Sequence, residues 1–298
     1  LLENFSDQPA YDSAKEEIAQ VYLAAGNDLF DQQQYPAALE YYNTLLAQYK
    51  TSATGSQAAA RAAQIHLIFG QQAMAAKDYP GALVDLDTIL SKYSASPSAA
   101  EARILAAEAH LAIGDELKAA GKFEEALQEY DLILRKFAST PSAATALSTS
   151  GSVRMEVAEL YHSQGKFADA VALYQQILRD YPGQPETASA GEDLPAVYLD
   201  WALKLLEDKN YEQAIGKLDL ISQEYATSTA ATQVASVTVE VNVAWGQDLV
   251  GQKEYIQAIE KLDAVQASLS DPQLQQIVAD ALNTAIQALA KDTGTQGK

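Results

Sequence analysis

From Tyr79 onward, apolar residues fall at Leu83, Leu86, Ile89, Leu90 and Tyr93, and the same beat runs through Leu127, Tyr130, Ile133, Leu134 and Phe137. Steps of three and four residues put such side chains on one face of a helix. The spacing predicts a helix of about fourteen residues opening at each aromatic. The segment before the aromatic, such as residues 57–76, reads as a longer helix of about twenty residues, roughly 30 Å long. Its middle is apolar on nearly every side, with Ile65, Leu67, Ile68 and Phe69 in one case and Val197, Leu199 and Trp201 in another. A helix that is apolar all round is sandwiched between neighbours.

This helix pair recurs. An aromatic followed three residues later by alanine stands at Tyr35/Ala38, Tyr79/Ala82, Phe123/Ala126, Phe167/Ala170, Tyr211/Ala214 and Tyr255/Ala258, every interval being 44 residues. Nine residues before each aromatic is a small residue: Gly26, Gly70, Gly114, Ala158, Ala202 and Gly246. Fourteen residues after it comes a large one: Tyr49, Tyr93, Phe137, Tyr181, Tyr225 and Leu269. The two small columns belong where paired helices approach closely, because larger side chains would push the axes apart. Ser96-Pro97, Thr140-Pro141 and Asp271-Pro272 read as N-caps with proline at the first helical position, and Gln184-Pro185 is in phase with the first two. Lys77-Asp78 and Gly121-Lys122 read as turns inside the hairpins. A closing helix over 272–291 carries Leu274, Ile277, Val278, Ala281, Leu282, Ile286 and Leu289 on one face and polar, mostly uncharged residues on the other, the half-polar lid that a repeat stack needs. Residues 1–298 thus read as one all-α domain of thirteen helices.

Charge narrows the use of such a scaffold. Forty Asp and Glu face twenty Lys and Arg, a net −20, and an acidic surface repels phosphate backbones and anionic lipid heads. Nucleic acid is therefore excluded as a partner, and no apolar run is long enough to span a membrane. The absence of cysteine removes disulfides, thiolate metal sites and cysteine nucleophiles together. The chain opens on Leu1-Leu2, which suits either a fragment or, as favoured here, a mature chain after removal of a targeting segment, and it stops at Lys298, one residue before the next aromatic would fall.

The columns resemble the tetratricopeptide repeat, in which a small residue in the first helix is followed by aromatic-x-x-Ala opening the second. Gly26, Tyr35, Ala38 and Tyr42 carry the resemblance, with their counterparts every 44 residues along essentially the whole chain. It implies a right-handed α-solenoid of six helix-turn-helix repeats that binds proteins or peptides, without catalysis or cofactor. The unit is ten residues longer than the family's 34. The family's closing proline survives at Pro182, and its later alanine gives way to Leu45, Ile89, Ile133, Ile177, Ile221 and Val265. The longer unit looks more like the tetratricopeptide-like proteins of bacterial cell envelopes. By position, the resemblance puts Asn27, Gln71, Asp115, Glu159 and Gln247 on the groove lined by the first helices. Of the Lys/Arg/Asn set that clamps a carboxylate in chaperone-binding members, Asn27 alone matches. Such a groove suits an extended polar or basic segment.

Other chemistry is thin. His66 and His110 occupy one repeat position that Tyr22, Arg154, Tyr198 and Asn242 fill elsewhere, which marks a packing or groove slot and not a ligand set, and no metal site is expected. Trp201 and Trp245, one repeat apart, read as core. Asp87, Asp131, Asp219 and Asp263 form a column that is either a solvated stripe or a ladder for cations or basic side chains. Two uses follow: an interaction scaffold, or a self-assembling subunit stacking head to tail into an extracellular filament or surface layer. The missing cysteines, the Ser/Thr-rich loops and the Asn4-Phe5-Ser6 acceptor pattern suit a home outside the cytoplasm.

Overall fold

The computed structural model describes residues 9–49 and 53–296; the Asn4-Phe5-Ser6 pattern lies outside them. The described residues form thirteen α-helices and no strand. In order these are α1 (Pro9–Asp31), α2 (Tyr35–Gln48), α3 (Ala53–Ala75), α4 (Tyr79–Lys92), α5 (Ala99–Ala119), α6 (Phe123–Lys136), α7 (Ser142–Ser163), α8 (Phe167–Asp180), α9 (Pro185–Glu207), α10 (Tyr211–Glu224), α11 (Ala231–Gly251), α12 (Tyr255–Ser268) and α13 (Pro272–Gln296). Six even-numbered helices, α2 to α12, open on the signature aromatic and run 14 residues. The odd-numbered helices are a little longer than expected, and α13 reaches 25 residues. Contacts divide the chain into two compact units, the first ending at Ser150 and the second starting at Gly151. Each is built of consecutive helix pairs, the packing of a tetratricopeptide-like solenoid.

The turn within each pair is made the same way every time. In the first, Gln34 N–H bonds Leu29 O and Gln33 N–H bonds Phe30 O, which is the Schellman closure of a helix C-terminus. The same two bonds recur in the other five pairs. Each needs one residue with positive φ, and the six positions are 44 apart: Gln33, Lys77, Gly121, Gly165, Lys209 and Lys253. Glycine takes this conformation without a steric cost, so Gly121 and Gly165 suit it, whereas the four long side chains accept some strain there.

Close approach explains the small columns. A Cβ built on Gly114 would lie 2.6 Å from the Tyr130 ring, and one on Gly26 2.6 Å from Tyr42. Ala38, Ala82, Ala126, Ala170, Ala214 and Ala258 are all fully buried. The largest fully buried side chains repeat as well, with Tyr42, Leu86, Tyr130, Tyr174 and Leu218 at one position of the shorter helices and Leu45, Ile89, Ile133, Ile177 and Ile221 at another. Burial of each contributes roughly 1.5–3 kcal/mol.

Two expected caps are corrected. Helix α5 starts at Ala99, not after Ser96, and α7 at Ser142, not after Thr140. Ser96-Pro97 and Thr140-Pro141 belong instead to the preceding turn, where Thr140 Oγ1 donates 2.7 Å to Phe137 O. Asp271 does cap α13, accepting from Gln273 N at 2.7 Å, and Pro185 does open α9.

Candidate functional site: grooves along the longer helices

In the first unit, α1, α3 and α5 border a groove of about 570 Å³, lined among others by Leu23, Asn27, Arg61, Gln64, Leu67 and Glu101. It is polar and of mixed charge. Arg61 lies over the Phe30 ring at 4.8 Å and donates to Gln64, and Gln71 reaches Glu101 at 2.7 Å.

The second unit has a groove of about 470 Å³ between α7 and α9, and it is acidic. Glu156, Glu159, Glu186, Glu192 and Asp193 line it, together with serines, Met155 and Pro185, without a basic side chain. Helical spacing gathers them: Glu156 and Glu159 are three apart on α7, and Glu186 and Asp193 are two turns apart on α9. Ser152 donates 2.6 Å to Glu186. Partial burial, and then the neighbouring Glu192, raise the Asp193 carboxyl above the ordinary carboxylate range, against a smaller pull from His162.

The residues expected on the groove are placed unevenly. Asn27 lines the first groove but accepts the Tyr42 hydroxyl at 2.8 Å. Asp115 accepts the Tyr130 hydroxyl at 2.8 Å, and burial together with this bond drives that phenol's pKa well up. Both thus anchor the tyrosine that packs on the glycine one residue before them. Glu159 lines the acidic groove; in the core, on α8, burial first, then Asp193 and Glu159, push Tyr174 up to about 12. Gln247 is exposed on α11, apart from the α7–α9 groove. Carrying one position per repeat missed Glu101, Glu156, Glu186, Glu192 and Asp193; the three- and seven-residue spacing of the acids was the available signal.

These grooves run along the longer helix of a pair whose signature recurs every 44 residues, and a family-level comparison decides what the pair is. The tetratricopeptide-repeat family matches residues 23–88, 67–132 and 111–185, together more than half of the chain. The chain belongs to the tetratricopeptide-repeat family. No curated protein matches it in sequence. Among solved structures it is similar to a tetratricopeptide-repeat protein from Bacteroides fragilis (15% identity, 89% of this chain and 98% of that one, TM-score 0.30). It is also similar to the tetratricopeptide domain of P58(IPK) (15%, 95% and 82%, 0.27). A third is the yeast Sti1 TPR2AB domain, solved as a complex with pHSP90 (16%, 90% and 98%, 0.23).

As a tetratricopeptide-repeat protein, the chain has the fold of a protein-interaction module, and its histidines take a structural place in it. His66 Nδ1 lies 2.7 Å from Asp85 across its hairpin, with the ring stacked on Tyr93; His110 Nδ1 lies 2.6 Å from Glu129, against Phe137. His162 meets Asp200 at 2.8 Å. Trp201 stacks on Phe167 and Trp245 on Tyr211. Asp87, Asp219 and Asp263 are exposed and Asp131 half-buried. Among the described residues no three potential ligands gather as a metal site, and no helix is long and apolar enough to cross a membrane.

Proposed function

We propose that the protein is a non-catalytic scaffold whose longer-helix grooves receive an extended basic segment of another protein. The observation that carries this reading is the α7–α9 groove, with five lining carboxylates and no lining cation. Burial and then the repulsion of the neighbouring Glu192 raise the Asp193 carboxyl, and a lysine or arginine entering the groove relieves that repulsion while exchanging water for charge-assisted hydrogen bonds. Met155 and Pro185 give its aliphatic stem a surface. The test is a fluorescence-anisotropy titration of a labelled Lys/Ser peptide against the intact chain and against Glu156→Gln/Glu159→Gln/Glu192→Gln. Binding that weakens with salt and falls about tenfold in the variant supports the reading; equal binding to both proteins contradicts it.

A second use, self-assembly, is favoured by one observation. Val21 and Tyr41 on the first hairpin, and Ile277 and Ile286 on the closing helix, are exposed by 69%, 38%, 49% and 46%. Light scattering over a concentration series decides it: growing mass supports assembly, and a constant 32.0 kDa rejects it.

A further inference from the structure

The shorter helices of the first unit border clefts of their own. Between α4 and α6, floored by α5, lies one of about 670 Å³. Val84, Leu90 and Leu132 line it, and Val84 is 70% exposed. Arg103 and Lys136 stand beside them, with Asp87 as the carboxylate on the wall. His110, also lining it, is already turned to Glu129.

The state of these cations is informative. Like most lysines and arginines among the described residues, Arg103 and Lys136 form no ion pair, so neither charge is neutralised within the chain. Arg103 Nη1 donates instead to the Lys136 carbonyl at 3.3 Å, which fixes one edge of the guanidinium and leaves the rest of its fork of donors for another group. The lining includes Ser91, which also borders a cleft of about 560 Å³ between α2 and α4, and there Lys92 is likewise without an ion pair among the described residues. Unpaired cations beside the exposed Val84 and the half-buried Leu90 and Leu132, on an otherwise acidic chain, are the complement of a short acidic and aliphatic segment.

We propose that the α4–α6 cleft is a second docking surface, which takes a segment of a partner protein that carries a carboxylate next to an aliphatic side chain. The carboxylate meets Arg103 and Lys136, and the aliphatic group covers Val84, Leu90 and Leu132. This surface selects the opposite charge to the α7–α9 groove, so either can fail without the other.

The test pans a phage-displayed random-peptide library on the intact chain and on Arg103→Glu/Lys136→Glu. Both residues are exposed, so circular dichroism and the urea midpoint should match the parent; Arg103→Gln/Lys136→Gln serves if they do not. Expected are peptides with Asp or Glu within a residue or two of Leu, Ile or Val. A synthetic representative should lose at least about tenfold in affinity for the variant, and more weakly for Val84→Ser. Recovered peptides without acidic residues, or equal binding to parent and variant, would overturn the proposal. So would concentration-dependent self-association abolished by the charge reversal, which would make a second copy the occupant.

Discussion

The α3–α4 and α5–α6 hairpins of the first unit and the α9–α10 and α11–α12 hairpins of the second solve one packing problem with opposite chemistry. In the first pair, a histidine on the longer helix meets a carboxylate nineteen residues on, His66 with Asp85 and His110 with Glu129. In the second pair the same two positions hold Tyr198 with Lys217 and Asn242 with Lys261. Each lysine then lies 3.7 Å over a tryptophan three residues beyond the slot, Trp201 or Trp245. The first unit has Phe69 and Ile113 at the tryptophan positions. Burial beside Trp201 lowers the Lys217 pKa. The comparison teaches that side chains across the hairpin change together: an acid calls for histidine, and a lysine calls for tryptophan. A third member joins them. Residues 27 positions after the slot pack on it, giving Tyr22 with Tyr49, His66 with Tyr93, His110 with Phe137 and Tyr198 with Tyr225, while Arg154 lies over the Tyr181 ring at 5.4 Å.

Beneath both hairpin types runs the same small-residue column, and breaking it should give the largest effect. Gly114→Val would drive a branched side chain into the Tyr130 ring, which Asp115 holds in place; Gly246→Val meets the movable end of Leu262, 2.9 Å from a built Cβ. Urea unfolding should show a loss of about 3 kcal/mol for the first and about 1–2 kcal/mol for the second. Equal losses would mean that the tyrosine anchor adds no rigidity.

A charge swap comes next. Asp85→Lys places an ammonium against His66 with no tryptophan beneath it and should cost about 1–2 kcal/mol. Adding Phe69→Trp should restore roughly 0.5–1 kcal/mol, measured as the coupling in a double-mutant cycle. No coupling would make the Trp–Lys pairing incidental. In the other direction, Lys261→Met keeps the stem over Trp245 and removes the charge, so a smaller loss of about 0.5–1 kcal/mol is expected from the same measurement.

The gentlest probe is alkaline pH. Burial first, and then the bond to Asp248, raise Tyr211 to about 12, while the free phenol titrates near 10.0. Below pH 10.0 both folded and unfolded chains hold the proton and this stability is intact. Between 10.0 and about 12 the unfolded chain loses its proton first, so the urea midpoint falls as pH rises. Tyr211→Phe should flatten part of that fall, and an unchanged slope would remove Tyr211 from the account.

Much of the architecture was legible because steric constraints repeat. A ring at Tyr79 or Phe123 opens a helix, an alanine three residues on is fully buried, and the 44-residue interval fixes the register. The turns were harder to read. Their positive-φ residue is glycine in two cases and lysine or glutamine in four, because the hydrogen bonds of the Schellman closure hold the conformation whatever the side chain. Ser96-Pro97 and Thr140-Pro141 misled for a related reason: the local cap signal sits inside a turn closed by its own bonds, Ser96 N–H to Tyr93 O and Thr140 N–H to Phe137 O. The groove was the least legible part. Asn27 and Asp115 hold the right repeat position but are consumed by Tyr42 and Tyr130, a link visible in sequence only as the shared fifteen-residue offset. The carboxylates of the α7–α9 groove come from several positions per helix, which column-by-column reading passes over.

Hydrogen exchange of the intact chain, with and without a saturating Lys/Ser peptide, tests the central claim most directly. The account predicts added protection in α7 and α9, weakening in high salt and absent in Glu156→Gln/Glu159→Gln/Glu192→Gln. Protection confined to the shorter helices, or none at all under saturation, would contradict the assignment of the acidic groove as the binding surface.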